Sequence, residues 1–316
     1  MSTKQRSRLV AILNPAAGGD GEHLVETLAS RERVRVDVVR TTAAGTAADI
    51  AYKVAGDSES VDGVVSVGGD GTTFEVATGL WRAGRAGVEN VPPLLVAPGG
   101  TGNSVYRGLW NDEPWTAVVE RVMSGRSRTR ALDLARIDQN DQIVVLGSGS
   151  GLFAQTLLKA AELPGSGRQL LMDAAVAAMA DHVPYEGRVS VDGEVVYEGG
   201  VVETITGGFR YRGGLLNLVP RSVLDDGLLD ITVVTAEADM NAFAQAALGG
   251  NVYDVPGIGW RRGAHMTIER LDGQPLLFEH DGEVMPRVSA SCDLHTLPAA
   301  LDVLSTSDAT AWFREG

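Results

Sequence analysis

The hydrophobic positions of the first hundred residues follow two alternating patterns. Four short apolar runs have the length and β-branched content of buried strands. They lie at residues 8–13, 34–39, 64–67 and 94–97. Between them, residues 22–30 and 47–55 place apolar side chains at helical spacing, and a third helical stretch extends to Leu80. Strands that alternate with single helices indicate parallel βαβ units, so the sequence predicts an N-terminal α/β domain with a parallel sheet.

Beyond about residue 130 the pattern changes to short strand-like segments joined by tight turns. Asp-Gly pairs recur at 192–193, 226–227, 272–273 and 281–282. Asp-Gly between apolar runs is typical of β-hairpins, and one helical segment interrupts this half around residues 169–182. We predict an α/β domain at residues 1–130, completed by the segment 300–316. Residues 131–300 should then form an antiparallel β-sandwich, with 125–130 as a linker.

Composition and charge exclude several classes of protein. The chain has 316 residues, of which 44% are hydrophobic and 22% charged, as in an ordinary globular protein and unlike a disordered one. A net charge of −14 argues against nucleic-acid binding and against adhesion to anionic lipid by bulk charge. Cys292 is the one cysteine, which excludes a disulfide framework and favours a reducing, cytoplasmic compartment. No apolar run approaches the ~18 residues that a membrane span requires.

The 39 glycines concentrate where the predicted strands end. Residues 68–72 (GGDGT) follow one buried strand, and residues 98–104 (PGGTGNS) follow the next. Ligands of parallel sheets bind at the carboxyl ends of the strands. Glycines let backbone N–H groups approach an anion, and a helix N-terminus adds partial positive charge, so these loops predict a phosphate site.

Asp70, in the middle of the first glycine loop, would repel phosphate unless a divalent cation lay between them. Magnesium with a polyphosphate supplies such a cation. The alternative interpretation is a tight turn between strand and helix, with Asp70 as the helix N-cap. A third loop of small residues, 14–18, ends the first strand, and three such loops at one edge of a sheet favour a ligand site.

Five segments in order along the chain resemble the diacylglycerol kinase and sphingosine kinase family of lipid kinases. They are NPAAGG at 14–19, GGDGTTFEV at 68–76, PGGTGNSVYRG at 98–108, GGLLNLVPRSVLDDGLLDITVV at 213–234 and HDGE at 280–283. GGDGT alone is shared with NAD kinases, whereas its combination with the later segments is specific. The resemblance implies an NAD kinase-like α/β domain, a C-terminal β-sandwich and an ATP site in the cleft between them. It also implies Mg²⁺-dependent transfer of the γ-phosphate to a lipid hydroxyl group.

The resemblance also implies roles for individual residues. Asp281 matches the family's proton acceptor, and Asp70 matches a carboxylate of the magnesium network. The implied nucleotide-binding positions are Asn14, Thr41, Thr42, Gly68, Gly69, Gly71, Thr72, Glu75, Gly100, Thr101, Asn103 and Glu283. A structural divalent ion is implied at Asp225, the carbonyl of Leu228 and Asp230, although the residues alone leave a solvated acidic turn open.

The segment 281–283 also fits a simple hairpin turn, as does the second Asp-Gly-Glu triplet at 192–194, for which we predict a type I′ turn. Three positions depart from the family pattern: Ser104 replaces the usual Asp after GTGN, Phe74 replaces an Asn, and Phe153 replaces an Asp. These departures keep open a nucleotide-binding regulatory protein without turnover. The kinship with NAD kinases keeps open a second alternative, a kinase of a soluble alcohol or nucleotide.

The partners implied by the resemblance are a lipid alcohol and, transiently, the surface of a membrane. The negative charge of the chain requires any such contact to be local. The basic stretch between Arg121 and Arg136 is the one candidate for contact with lipid headgroups, but a solvated linker is the preferred interpretation. No nucleic-acid partner is expected, and a homodimer is left open.

Overall fold

The chain divides into two compact units in the computed structural model, which describes residues 7–32, 34–57, 59–286, 289–308 and 310–314. Unit 1 comprises residues 1–132 and 299–316, and unit 2 comprises residues 133–298. No helix among the described residues is long and apolar enough to cross a membrane.

Unit 1 alternates strands and helices as the sequence pattern predicts. Its elements are β1 (Ser7–Leu13), α1 (Gly21–Ala29), β2 (Val34–Arg40), α2 (Thr46–Ala55), β3 (Gly63–Gly68), α3 (Asp70–Arg85), β4 (Leu94–Pro98), α4 (Ser104–Trp110) and α5 (Trp115–Met123). Strand β1 pairs in parallel with β2 and β3, and β3 pairs in parallel with β4. The strand order β2-β1-β3-β4 brings the ends of β1, β3 and β4 side by side.

The central strands of unit 1 form its core because they are apolar on both faces. Every residue of β3 is buried, and β1 is buried from Leu9 onwards. Helix α3 adds its buried face, including Val76, Leu80 and Ala83. Removal of this apolar surface from water stabilises the sheet and fixes the strand ends that carry the three glycine-rich loops.

Unit 2 consists mainly of short antiparallel strands. Its elements in chain order are β5 (Ser127–Ile137), β6 (Gln142–Val144), β7 (Ser148–Gly151), α6 (Leu152–Glu162), α7 (Gly167–Asp181), β8 (Tyr185–Val191), β9 (Glu194–Gly207), β10 (Tyr211–Arg212), β11 (Leu216–Asn217), β12 (Leu229–Thr235), α8 (Met240–Gly249), β13 (Ile258–Gly263), β14 (His265–Arg270), β15 (Phe278–His280), β16 (Glu283–Val284) and β17 (Ser291–Thr306). Strands β5 and β17 each begin in one unit and end in the other. The long strand β9 pairs antiparallel with β7, β8 and β12. The predicted antiparallel β-sandwich is confirmed.

Two apolar clusters stabilise unit 2. One is formed by strand residues such as Val189, Ile231 and Ile268, and it includes the buried thiol of Cys292. The other lies where the helices cover the strands, with Leu152 of α6, Ala178 of α7 and Phe243 of α8 among its members. The helices therefore belong to the core of the unit.

Two features of the fold differ from the sequence predictions. The predicted linker 125–130 is wrong from Ser127 onwards, because those residues begin β5. Its arginines obscured the strand pattern, and the guanidinium of Arg130 instead stacks 4.3 Å from the ring centre of Phe313. Helices α6 and α8 were not predicted, since their alanine-rich sequences lie between strand-like segments.

Candidate functional site

Three loops of unit 1 meet at the carboxyl ends of β1, β3 and β4. The backbone N–H of Asn14 donates to the carbonyl of Val67 at 2.9 Å, and that of Gly19 donates to the carbonyl of Gly99 at 3.0 Å. The side-chain amide of Asn14 donates to the hydroxyl of Thr72 at 3.0 Å. The parallel sheet thus brings together loops that lie more than fifty residues apart in the sequence.

Glycine at position 100 is required by the closeness of two of these loops. A Cβ atom at Gly100 would lie 2.3 Å from the Cα of Gly69, closer than any side chain tolerates. Asn103, which adopts a left-handed conformation with φ of 53°, holds the loop from its other side. Its amide oxygen accepts the N–H of Gly100 at 2.9 Å, and its amide nitrogen donates to the carbonyl of Gly100 at 2.9 Å. The two backbones are therefore in direct contact.

Helix α3 begins at this point without a side-chain cap from its N-cap residue. Its N-cap is Gly69, without a side-chain cap, and the first N–H bonded back to the cap is that of Thr73, at 3.0 Å from the Gly69 carbonyl. Gly71 is exposed, and a Cβ there would meet no atom within 4 Å. N–H groups in the first turn of a helix attract anions, so this end of α3 is suited to a phosphate group.

Asp70 is not the N-cap of its own helix, and that alternative interpretation is wrong. Its carboxylate accepts the N–H of Ser104 at 3.0 Å and that of Val105 at 3.0 Å, one on each oxygen. These are the first two residues of α4. A carboxylate can accept about four hydrogen bonds or ligands in all, so these two backbone bonds do not by themselves exhaust the capacity of Asp70.

The other predicted nucleotide-binding residues of unit 1 lie in two places. Thr41 and Thr42 follow β2, and Thr101 lies beside Gly18 in the glycine-rich region. Glu75 is engaged elsewhere, because its two oxygens accept the N–H groups of Gly45 at 2.8 Å and Ala47 at 3.0 Å. In the structure Glu75 therefore closes the N-terminus of α2 rather than pointing to the loops.

Asp281 of unit 2 occupies the turn between β15 and β16. Asp281 and Gly282 have φ angles of 51° and 87°, and Asp192 and Gly193 have 50° and 83°. Both pairs thus adopt the two left-handed conformations of a type I′ hairpin, and the predicted turn at 192–193 is confirmed. The two Asp-Gly-Glu triplets share one backbone geometry, so any difference in function must come from their surroundings.

The Asp281 carboxylate is held by the backbone of the loop after β6. Its Oδ1 accepts the N–H of Leu146 at 2.6 Å, and its Oδ2 accepts that of Val145 at 3.1 Å. The side chain is 1% exposed. Oδ2 also lies 3.3 Å from Nδ1 of His280. The structure places Asp281 in a fixed, largely dehydrated position. Glu283, by contrast, is exposed at the start of β16.

His280 lies against Asp281, although adjacent residues of a strand point to opposite faces. Asp281 is a turn residue rather than a strand residue, which turns its side chain back towards the imidazole. The Nε2 atom of His280 lies 3.1 Å from the side-chain oxygen of Gln142. Burial opposes the charged imidazole, but the hydrogen bond and the charge of Asp281 outweigh it and raise the pKa of His280.

Sequence reasoning missed two buried carboxylates close to this turn, Glu203 on β9 and Glu279 on β15. Burial raises the pKa of Glu279 to about 7 and raises that of Glu203 well above its usual value. Gly149 lies beside both, because a Cβ there would be 2.6 Å from Oε1 of Glu203 and 3.5 Å from Oε1 of Glu279. A carboxylate inside an apolar run, as in VVETIT and LLFEH, was the sequence signal that could have identified them.

Glu203 supplies a carboxylate next to Phe153, where the family pattern has an aspartate. Its Oε2 accepts the N–H of Phe153 at 2.6 Å. Its Oε1 is buried and has no hydrogen-bond partner within the described part of the chain. Glu279 accepts the N–H of Gly282 at 3.2 Å and so supports the turn that carries Asp281. Unit 2 therefore concentrates acidic side chains around this hairpin.

The acidic segment 225–230 does not fit a divalent ion. Asp230 is fully buried, so the solvated-turn alternative is wrong for it. Both of its oxygens are engaged by side-chain donors, Trp260 and Arg262. Across the described ranges, no group of three or more His, Cys, Asp and Glu side chains is arranged to hold a metal ion. A divalent ion at Asp230 would have to displace a guanidinium that is already in place.

Two family models together match most of the chain. The model described as "Diacylglycerol kinase catalytic domain" matches residues 8–137. The model described as "YegS C-terminal NAD kinase beta sandwich-like domain" matches residues 147–305, half of the chain. Each match coincides with one of the two architectures described above.

Curated relatives agree with the family models. A protein of Xanthomonas euvesicatoria named "Probable lipid kinase YegS-like" is 29% identical over 258 residues, which cover 77% of this chain and 79% of the relative. A protein of Bacillus subtilis named "Diacylglycerol kinase" is 26% identical over 253 residues, covering 77% and 78% respectively.

Solved structures share the fold. A diacylglycerol kinase structure from Bacillus anthracis superposes with a TM-score of 0.69 at 21% identity, covering 96% of this chain and 98% of that one. The yeast NADH kinase in complex with NADH superposes with a TM-score of 0.50 at 13% identity, covering 98% of this chain and 86% of the other. At these identities the structures establish the α/β and β-sandwich architecture.

Proposed function

The chain belongs to the diacylglycerol kinase-like family of lipid kinases, and from that premise we propose that it transfers the γ-phosphate of ATP to a hydroxyl group of diacylglycerol or a related lipid alcohol. The observation that carries the proposal is the contact of three loops around the open N-terminus of α3. The name of the Bacillus subtilis relative supports diacylglycerol as the acceptor.

We assign the nucleotide phosphates to the loops of unit 1. The N–H groups of the first turn of α3 would bind phosphate oxygens, and Gly71 leaves the space for them open. The side-chain amide of Asn14 orients the hydroxyl of Thr72, which fixes one further donor at the same place. Transfer of a phosphoryl group depends mainly on such positioning and on neutralisation of charge.

Magnesium fits this part of the proposal through Asp70. The carboxylate is fixed by two N–H donors beside the start of α3, and a carboxylate oxygen in that position suits Mg²⁺ as a ligand, direct or through water. Bound with the nucleotide, the ion would neutralise negative charge on the phosphates. Because Ser104 replaces a family carboxylate, the nucleotide phosphates would supply most of the ligands in this chain.

We assign the proton acceptor to Asp281 of unit 2. Of its two oxygens, Oδ1 accepts the short bond from Leu146, whereas Oδ2 has longer contacts and the greater capacity to accept a proton. Nδ1 of His280 lies 3.3 Å from Oδ2; burial lowers the pKa of this imidazole, but the hydrogen bond and charge of Asp281 outweigh it and raise that pKa. An ionised carboxylate near the acceptor hydroxyl is the base that the reaction requires.

Contact with the membrane surface is proposed through α7. Met172, Val176 and Met179 lie on one stripe of this helix at spacings of four and three residues, and all three are exposed. The basic stretch is a weaker candidate, because Arg121 pairs with Glu113 and Asp308. An apolar stripe lets an acidic protein touch a bilayer without attraction between net charges.

The test of the proposed activity is ATP consumption with a panel of acceptors presented in mixed micelles. Diacylglycerol, a sphingoid base and a monoacylglycerol represent the lipid alcohols, and NAD represents a soluble acceptor. We expect turnover with at least one lipid alcohol and none with NAD. Turnover of NAD alone would establish the soluble-acceptor alternative. Calorimetric binding of ATP with no transfer to any acceptor would establish the regulatory one.

A further inference from the structure

Arg262 of β13 is directly opposite Asp230 of β12 in the antiparallel register. Its guanidinium lies 3.3 Å from each carboxylate oxygen of Asp230 and 3.1 Å from Oδ2 of Asp226. We infer that this guanidinium is a built-in counter-cation, which takes the place of the divalent ion implied by the family resemblance at Asp225, Leu228 and Asp230.

Asp230 requires a cationic partner because of where it lies. The residue is fully buried, so water cannot solvate its carboxylate. The indole N–H of Trp260 donates to Oδ1 at 2.7 Å. The guanidinium of Arg262 lies 3.3 Å from each of the two carboxylate oxygens. A buried carboxylate without such partners would be strongly unfavourable. Its coordination is therefore complete without a metal.

The guanidinium itself is fixed by independent contacts. Its Nη2 atom donates to the carbonyl of Arg221 at 2.8 Å, and its Cζ atom lies 5.6 Å from the ring centre of Trp260. The Asp226 side chain that it contacts is 5% exposed, and this carboxylate also accepts the N–H of Leu228 at 3.1 Å. Arg262 is thus held between two buried carboxylates by partners that a mobile surface arginine lacks.

The replacement has a chemical consequence. An arginine is permanently charged and is covalently part of the chain, whereas a divalent ion exchanges with the solution. A divalent ion bound to the same carboxylates would also be repelled by the guanidinium. The folded state of unit 2 should therefore be independent of free divalent cations. This inference does not rest on the proposed kinase activity.

The experiment compares urea unfolding midpoints of the full chain in EDTA, in MgCl₂ and in CaCl₂, without nucleotide. The variants are Arg262→Gln and the matched control Arg261→Gln, which removes an exposed arginine that donates to the carbonyl of its neighbour Trp260. We expect the wild type and Arg261→Gln to have the same midpoint in all three buffers. Arg262→Gln should unfold at a lower midpoint in EDTA, and MgCl₂ or CaCl₂ should partly restore it.

A wild-type midpoint that falls in EDTA, recovers with MgCl₂ and loses this response in Asp225→Asn would overturn the inference. So would an Arg262→Gln variant with the wild-type midpoint in EDTA. If Arg262→Gln does not fold, the double variant Asp230→Asn/Arg262→Gln removes both charges together. This double variant should fold, and its urea unfolding midpoint should be the same in EDTA and in CaCl₂. Failure of the double variant to fold would count against a simple pairing of charges.

Discussion

The carboxylate of Asp70 caps the helix that begins at Ser104, accepting its backbone N–H at 3.0 Å. The hydrogen bond joins the glycine-rich loop after β3 to the one after β4. Ser104, which replaces the aspartate of the family pattern, is fully buried. In this chain one carboxylate organises the start of α4 and faces the proposed phosphate site.

Asp70→Asn should reduce turnover far more than stability. The variant removes the charge that would hold the magnesium network, for which we expect a loss on the order of 10²-fold or more in kcat. The amide keeps one acceptor oxygen, so the loss of one of the two N–H bonds at the start of α4 should cost about 1 kcal/mol in the free energy of unfolding. Asp20→Asn is the matched control, since Asp20 caps α1 through the N–H of His23. Equal losses of turnover in both variants would contradict the role of Asp70.

Two glycine substitutions separate the fold of the loops from their binding of ATP. Gly71→Ala should keep or raise stability by up to about 1 kcal/mol, because its Cβ meets no atom and alanine favours the helix. The same Cβ should weaken ATP binding by about tenfold, which is about 1.4 kcal/mol. Calorimetric titration with ATP measures this loss, and unchanged affinity would exclude Gly71 from the phosphate site.

Gly100→Ala should instead destabilise unit 1. The new Cβ would lie 2.3 Å from the Cα of Gly69, so the two backbones must separate. We expect a loss of about 1–3 kcal/mol in the free energy of unfolding, with loss of ATP binding. Urea unfolding provides the measurement, and wild-type stability would show that the loops are not tightly packed.

Asp281→Asn should abolish most phosphoryl transfer while leaving ATP binding intact. Loss of a general base costs typically 10²–10⁴-fold in rate. The matched control is Asp192→Asn in the second Asp-Gly hairpin, where the carboxylate likewise accepts two neighbouring N–H groups, of Ala264 and His265. Asp281→Asn should lose more stability, because its carboxylate is buried and both of its oxygens accept N–H groups, and only Asp281→Asn should lose turnover. Full turnover in Asp281→Asn would refute its assignment as the base.

Glu279 should make the protein less stable as pH rises from about 4.5 to about 7. Burial raises its pKa to about 7 from the ordinary 4.5, against the opposing charge of Arg212. The folded state then binds the proton more tightly than the unfolded state, so the free energy of unfolding falls as pH increases through this window. Glu279→Gln should raise the free energy of unfolding by on the order of 1–3 kcal/mol above about pH 7. Below about pH 4.5 it should change this free energy little. Unfolding midpoints across this range test it.

The matched control for Glu279 is Glu283→Gln, which removes an exposed carboxylate of the same hairpin. If both variants gain the same stability with the same pH dependence, the effect comes from the net charge of the hairpin. A gain confined to Glu279→Gln would attribute it to the buried group.

Val176→Asp should weaken binding to lipid vesicles and reduce turnover only on acceptors embedded in a bilayer. A carboxylate on the apolar stripe of α7 must stay in water, which opposes insertion. Leu248→Asp is the control, since Leu248 is an exposed apolar residue on α8, away from that stripe. Vesicle sedimentation gives the readout. A shift in molar mass by light scattering, with vesicle binding unchanged, would identify the stripe as a homodimer contact.

The strand ends and glycine-rich loops were predictable because local patterns determine them. Apolar runs of the observed length define β1, β3 and β4, and parallel pairing places their ends together. The partners of the polar side chains were not predictable. Glu75 caps a helix that precedes it by some twenty residues, and Asp70 caps one that follows it by more than thirty. Only the three-dimensional packing brings these groups into contact.

The site in unit 2 was predictable in position and not in surroundings. The segment 280–283 identified the hairpin, yet the burial of Glu203 depends on β7 and β9 lying side by side. The pairing of Asp230 with Arg262 likewise follows from the register of β12 with β13, which no local pattern specifies. The sequence showed three carboxylates within six residues and gave no indication of the cation that neutralises them.

The buried position of Cys292 makes the chain convenient for site-specific labelling. It is the one cysteine of the sequence, and burial raises the pKa of its thiol, which keeps the reactive thiolate scarce. A cysteine introduced at an exposed position such as Val176 would therefore react selectively with a maleimide dye or a nitroxide. Such a probe would report directly on whether that helix enters a lipid phase during turnover.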